Sequence, residues 1–285
     1  MLIDTLAPDW QDHLIKQHAE LAAGRRLYLL IDGAFLPNFY REVQKVLAAP
    51  DDVALLFEQL PGCTDNTRSV SPFLVPYSGA SFLMTLALKK CSGWPMVSSI
   101  ETTETMAGLK ARLAAWCVIE NDGQRFNFRF PDTRRLPAIF DCLSIPQRSS
   151  LVGPAVRWSY IDRTGAWSEL PLPQVTGDVA EEPTLDDTQF AAMVGDSEVD
   201  ETITLLRDRS PLPARLPSDI YAGVHAALRV AALAKFDQEL HLNWCRHYLD
   251  NAVPFGEKEG INAALAWRET RFSNIRSDDE NNDPF

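Results

Sequence analysis

The sequence predicts an α/β protein: an N-terminal mixed β-sheet flanked by helices, followed by a C-terminal, mostly α-helical lobe. Three observations predict it. Between residues 25 and 170 short apolar runs alternate with segments of helical period. In two places there, 125–130 and 156–160, the period drops to two, as in strands with one buried face. Beyond Pro171 that alternation stops and only helical spacing remains.

The first element is a leading helix over 1–24, drawn from Leu6, Trp10, Leu14 and Leu21 at helical steps and stopped by Gly24. Leu27, Tyr28, Leu29, Leu30 and Ile31 form a continuous apolar run ended by Asp32-Gly33, which predicts a strand buried on both faces. A helix is expected over 39–47 and short strands at 53–57 and 72–77, the prolines of the latter pointing to strand ends or a sheet edge. Residues 81–89 read as a helix and 96–98 as a short strand. Ser98 and Glu101 have capping-box spacing, and Met106, Leu109, Leu113 and Trp116 then recur at helical intervals. Residues 116–120 are expected to pair with 125–130 across Asn121-Asp122-Gly123, with Phe126, Phe128 and Phe130 on one side. Residues 134–143 read as a helix. The strand carrying Val156, Trp158 and Tyr160 precedes a turn at 163–165.

These elements make 25–170 one α/β domain. A Pro-rich acidic connector, 171–217, follows, with short helices at 185–194 and 198–207. In a helical lobe over 218–276, Ile220, Val224, Leu228 and Ala231 and then Phe236, Leu240, Trp244 and Tyr248 sit three or four apart, with a last helix at 261–268. Residues 277–285 read as an acidic tail.

The 285 residues carry 27 Lys/Arg and 39 Asp/Glu, a net charge of −12, spread unevenly. Residues 1–170 hold 17 basic and 18 acidic side chains, whereas 171–285 hold 10 and 21. So acidic a half repels a phosphate backbone, which counts against nucleic-acid partners. No apolar run reaches the roughly eighteen residues needed to span a bilayer, so no membrane partner is expected. Residues 1–10 lack a basic and an apolar stretch in series, and five scattered Cys show no Cys-x-x-Cys spacing. Reduced thiols in a cytoplasmic protein are the expectation.

The familiar catalytic motifs are missing from the sequence, and none of the five His falls between residues 25 and 170. A nucleophile in the α/β part would therefore lack the commonest general base in its own domain. His241 and Cys245, four apart on one helix face, could ligate a soft metal, but His247 points elsewhere, so no metal or other cofactor is expected. Asp32 stands where α/β enzymes often place a carboxylate. With no second acid at Asp-x-Asp spacing, it is expected to hold the following turn. Arg125, Arg129, Arg134 and Arg135 with Asp132 form the densest polar cluster, suited to pairing with carboxylates or to a protein partner.

Several of these segments recur in a known order: Leu-Tyr-Leu-Leu-Ile-Asp-Gly-Ala (27–34), Pro-Phe-Leu-Val (72–75), Gly-Trp-Pro-Met-Val-Ser-Ser (93–99), the helix at 109–113, Phe-Arg-Phe-Pro-Asp (128–132), Gly153-Pro154 and Trp158. In that order, over about 25–170, the chain resembles the type VI secretion effector adaptors, or effector chaperones. The resemblance implies a bacterial cytoplasmic protein without catalysis that binds a cognate secreted effector and loads it onto the VgrG spike. It places Asp32, Arg129 and Asp132 on motif positions, with Trp158 near the domain's end. One departure stands out: Pro131 precedes Asp132, where the family often reads Arg-aromatic-aromatic-Asp-Pro. The cargo is expected on the helical lobe, drawn by its negative charge, with Phe236, Trp244 and Tyr248 as anchors. The rival from another class is a hydrolytic enzyme acting on a phosphate-bearing substrate through Asp32 and the Arg125/Arg129 cluster. A secreted toxin comes third, since the helical lobe carries neither nucleophile chemistry nor a hydrophobic hairpin.

Overall fold

After its first residue the segment Arg26-Leu-Tyr-Leu-Leu-Ile31 has no position that can face water, so it must lie inside a sheet with both faces covered. The computed structural model describes every residue except 48, 50, 51, 80, 174–182, 252–256 and 281–285, and there this segment is strand β1 (Arg26–Ile31), buried from Leu27 onward. The chain divides into two units, Met1–Asp196 and Ser197–Phe285. In order, the first contains α1 (Trp10–Ala19), β1, α2 (Phe39–Gln44), β2 (Ala54–Leu55), α3 (Asp65–Ser69), β3 (Phe73–Pro76), α4 (Phe82–Lys89), β4 (Val97–Thr102), α5 (Met106–Ala115), β5 (Val118–Asn121), β6 (Gln124–Asn127), α6 (Leu136–Cys142), α7 (Ile145–Val152), β7 (Ala155–Ile161) and β8 (Trp167–Glu169). Helix α8 (Asp187–Arg209) contains the division, and α9 (Pro217–Leu233), α10 (Gln238–Asn251) and α11 (Glu257–Glu280) complete the second unit.

The main sheet runs β2-β3-β1-β4-β7-β8, each registered pair antiparallel. Successive residues of β1 enter opposite cores, as a period of two demands. Tyr28 and Leu30 join Leu109, Leu136, Phe140, Leu151 and Trp158 on the face covered by α5, α6 and α7. Leu27, Leu29 and Ile31 join Trp10, Leu14, Phe39, Val43 and Leu88 under α1, α2 and α4. An N-terminal sheet flanked by helices and a helical C-terminal region are thus both present, as the sequence predicts.

Several local expectations change. β3 lies between β2 and β1, not at an edge; its prolines mark strand ends, and beyond Pro76 the Tyr77 N–H donates to the Leu27 carbonyl at 2.8 Å. Ser98 and Glu101 belong to β4, not to a cap. Helix α5 begins at Thr105, whose Oγ1 accepts the Gly108 N–H, while a true capping box, Ser144 with Gln147, opens α7. β4 holds buried polar groups because each finds a partner: Ser98 Oγ accepts Trp158 Nε1–H (3.2 Å), Ser99 Oγ donates to Gln17 Oε1 (2.8 Å), and Glu101 pairs with Arg25 (2.9 Å). β5 and β6 pair as expected but form their own sheet, bridged in parallel from Glu120 to Thr184; the strand stops at Asn127 before Phe128 and Phe130. Helix α8 is one helix where two short ones are expected, and the units divide at 196/197, within the stretch that the sequence reads as the connector, 171–217. Helix α11 runs through 277–280; residues 174–182 of the connector and 281–285 of the tail lie outside the described residues.

In the second unit Val224, Ala227, Ala231, Trp244, Cys245, Leu249 and Ala264 form the fully buried centre. Trp244 Nε1–H donates to the Ala227 carbonyl at 3.1 Å, and its ring lies 6.1 Å from Phe236 and 5.8 Å from Tyr248.

Two glycines carry opposite expectations. A Cβ on Gly33 would lie 2.3 Å from the Ser71 carbonyl oxygen, because β1 exits across the backbone that leads into β3. Gly195, within α8, has nothing within 4 Å. Gly33→Ala should therefore destabilise by about 1–3 kcal/mol, and Gly195→Ala should stabilise by up to about 1 kcal/mol. Urea unfolding of the two variants, each against wild type, checks both signs.

Candidate functional site

The end of β1 carries its backbone ladder one residue further, the Asp32 N–H donating to the Met96 carbonyl at 2.8 Å. The Asp32 Oδ1 then accepts the Ala34 N–H at 3.0 Å, the local turn expected of an aspartate before glycine. Its Oδ2 faces Arg129, whose Nη2 lies 3.3 Å away. Arg129 opens a turn closed by the Asp132 N–H donating to the Arg129 carbonyl at 3.1 Å, so Pro131 sits inside a turn that forms in spite of it. Asp132 is thereby returned to Arg129, 3.4 Å from its Nη2. Asp132 also accepts from Arg134 at both oxygens, Nε at 3.1 Å and Nη2 at 2.8 Å, and from the Arg134 N–H at 3.1 Å. The next residue, Thr133, donates its N–H to the Pro95 carbonyl at 3.0 Å.

One aromatic covers the group. The guanidinium carbons of Arg129 and Arg134 lie 5.4 and 5.7 Å from the centroid of Phe35, which stacks on Trp94 at 6.1 Å. The 27–34, 93–99 and 128–132 segments therefore meet at one place, the end of β1 beside the start of β4. Two carboxylates, Asp32 and Asp132, sit at 2 and 1% exposure against two guanidiniums. Burial pushes the Asp32 carboxyl above the usual carboxylate range, and the Arg129 charge partly opposes it. All four carboxylate oxygens are engaged, so the cluster is a brace between segments, not an open acid–base pair. Arg129, with its side chain 41% exposed, presents the group to solvent.

Of the residues singled out in the sequence, Asp32, Arg129 and Asp132 come together. Trp158 does not face outward as a partner residue: it is fully buried, edge-on to Phe130 at 6.3 Å, and packs the face behind the turn. Phe236, Trp244 and Tyr248, at 7, 0 and 2% exposure, are core side chains of the second unit and not interface anchors, because they fill the space between α9, α10 and α11. Arg125 stays exposed on β6 opposite Glu120, and Arg135 turns to Asp196 at 3.0 Å, so a phosphate site built from Asp32 with Arg125 and Arg129 is not assembled. Among the described residues no group of three His, Cys, Asp or Glu is placed to hold a metal, and burial pushes the Cys245 thiol up to about 12. Trp94 belongs to the 93–99 motif, whereas Phe35 lies just outside the 27–34 motif; an aromatic directly after the Asp-Gly-Ala turn was the available signal for it.

Asp132→Ala should remove the buried carboxylate that Arg129 and Arg134 share and cost about 3 kcal/mol in urea unfolding. The raised pKa of Asp32 means that the fold takes up this proton before the unfolded chain does. Its contribution to stability is thus fully present below the unfolded value near 3.8 and is lost as pH rises through the folded value. The stability of wild type relative to Asp32→Asn should accordingly increase as pH is lowered from about 7 toward 4; unfolding midpoints of both proteins across that range test the sign.

Comparison with known proteins bears on this same part of the chain. No curated protein and no solved structure matches it. Residues 27–150, which contain the whole of the Asp32–Arg129–Asp132–Arg134 brace, match the family model described as Domain of unknown function (DUF4123).

Proposed function

We propose that the chain is a non-enzymatic, cytoplasmic adaptor that binds a secreted effector protein and loads it onto the VgrG spike of a type VI secretion apparatus. The observation that carries this reading is a coincidence of intervals. The stretch matched by the DUF4123 model, 27–150, is most of the stretch over which the ordered motifs resemble the effector adaptors. Three of those motifs, distant in sequence, close on one another around Asp32 and Arg129.

The chemistry of the cluster supports a structural part in that role. A general base needs a free lone pair aimed at a reacting proton. Here each carboxylate oxygen already accepts from Arg129, Arg134 or one of two backbone N–H groups, which holds both aspartates to structural partners. What the brace offers outward is a half-exposed guanidinium over an aromatic ring, a combination suited to protein recognition. Among the described residues no helix is long and apolar enough to cross a membrane.

The experiment is co-expression of the full chain with a candidate toxin effector and a VgrG spike protein from the same genome. One complex containing all three, and loss of toxin export when the gene is deleted, are expected. Asp32→Asn should alter folding or the yield of that complex. Export that proceeds unchanged without the chain would overturn the reading, as would a hydrolase turnover of the purified protein that disappears in Asp32→Asn.

A further inference from the structure

The second unit carries a groove that its core does not use. One wall is a single face of α8, where Glu198, Glu201, Thr202, Leu205 and Arg209 follow at helical spacing; Leu228 of α9 and His241 and Leu242 of α10 face it. The groove has a volume of about 670 Å³. Arg209 lies eleven positions after Glu198, so the wall is about 16 Å long, three helical turns.

Its chemistry is graded. Leu205, 54% exposed, with Leu228 and Leu242 supplies apolar surface. Glu198, Glu201 and Asp237 line the groove with negative charge, and all three are exposed. The Glu198 carboxylate forms no ion pair among the described residues. Arg209 lies at the far end of the α8 wall, three turns from Glu198. His241 adds an independent sign of something missing: its Nε2 is buried and has no hydrogen-bond partner.

We infer that this groove seats a cationic, amphipathic helical segment of a protein partner, its apolar face on the leucines and its Lys or Arg side chains against Glu198, Glu201 and Asp237. The inference rests on the adaptor reading, in which that segment belongs to the effector. Charge selects the occupant. Residues 197–285 hold 15 acidic and 10 basic side chains, so a second copy would bring like charge, and a nucleic acid would be repelled. A neutral apolar ligand would bury the acids unpaired. A basic amphipathic helix meets both the leucines and the carboxylates over the length available.

The probe is a fluorescent synthetic peptide of Leu and Lys, patterned with one apolar and one cationic helix face, titrated into the full chain and read by anisotropy. Binding is expected, with no binding of a matched Leu and Glu peptide. Glu198→Gln, Glu201→Gln and Asp237→Asn together should weaken it about tenfold, while Asp219→Asn, Glu259→Gln and Glu269→Gln, which remove equal charge away from the groove, should leave it unchanged. Leu205→Ser, at an exposed position, should weaken binding without changing charge. Equal losses from the two charge triples, or no effect of Leu205→Ser, would overturn the inference. The groove triple is then tested for co-purification with the effector. Retained effector would overturn the seat and leave the adaptor reading standing. A wild-type chain that binds the peptide at this groove but no effector would overturn the adaptor reading instead.

Discussion

Two aspartates removed almost wholly from water must be neutralised where they stand, and much of the first unit is arranged so that they are. An unpaired carboxylate at 1 or 2% exposure would carry a penalty of several kcal/mol. Arg129 and Arg134 offset part of that penalty, and only if the chain turns back at 129–132 and lies beside the start of β4. The turn, the Thr133–Pro95 hydrogen bond and the stacked Phe35 and Trp94 rings all serve that placement. The brace ties three segments lying about thirty to one hundred residues apart in sequence. Long-range closure of this kind specifies one arrangement of the sheet's end more than it adds net stability.

The parts legible in the sequence were those where one physical signal acts alone. β1 was readable because five consecutive apolar residues leave few alternatives, and β7 because Val156, Trp158 and Tyr160 alternate with polar residues, although of the three only Trp158 is fully buried. β4 was half read because Ser98, Ser99, Glu101 and Thr102 look like a cap or a loop. The partners supplied by Gln17, Arg25 and Trp158, and for Thr102 by Glu104, make them tolerable inside a sheet. Those partners lie up to 82 residues away, beyond the reach of local pattern. α3 was missed because five residues give too few turns for a period to show, and α7 because its apolar residues, Ile145 and Leu151-Val152, lie only at its two ends.

The candidate site divides in the same way. Asp32, Arg129 and Asp132 were visible as motif positions, and the structure joins them. The aromatic anchors were misjudged because spacing alone does not tell a buried face from a waiting one. About ninety residues can enclose a core when small side chains let helices approach: a Cβ on Gly223 would stand 2.8 Å from Leu249. Ala227, Ala231 and Ala264 are likewise fully buried. That close approach leaves room for Trp244 at the centre, and Phe236 and Tyr248 pack against its ring.

With the aromatics spent on the core, the surface of the second unit has to be read from what remains outside it, and that is mostly charge with a few leucines. A surplus of acids on a small helical unit works against compactness through self-repulsion, and the effect is largest where acids share one helix face, as Glu198 and Glu201 do. Beside them Leu205 stands 54% exposed on the same face, next to Leu228 and Leu242 across the groove. Two unfavourable features placed together on one three-turn wall are relieved by the same act, the arrival of a surface that is basic and apolar at once. The first unit shows the opposite solution, with opposite charges supplied from within the chain and closed against each other. The brace of the first unit thus has its counter-charges supplied from within the chain, whereas under the inference drawn above the groove acids Glu198, Glu201 and Asp237 would take theirs from the docked segment.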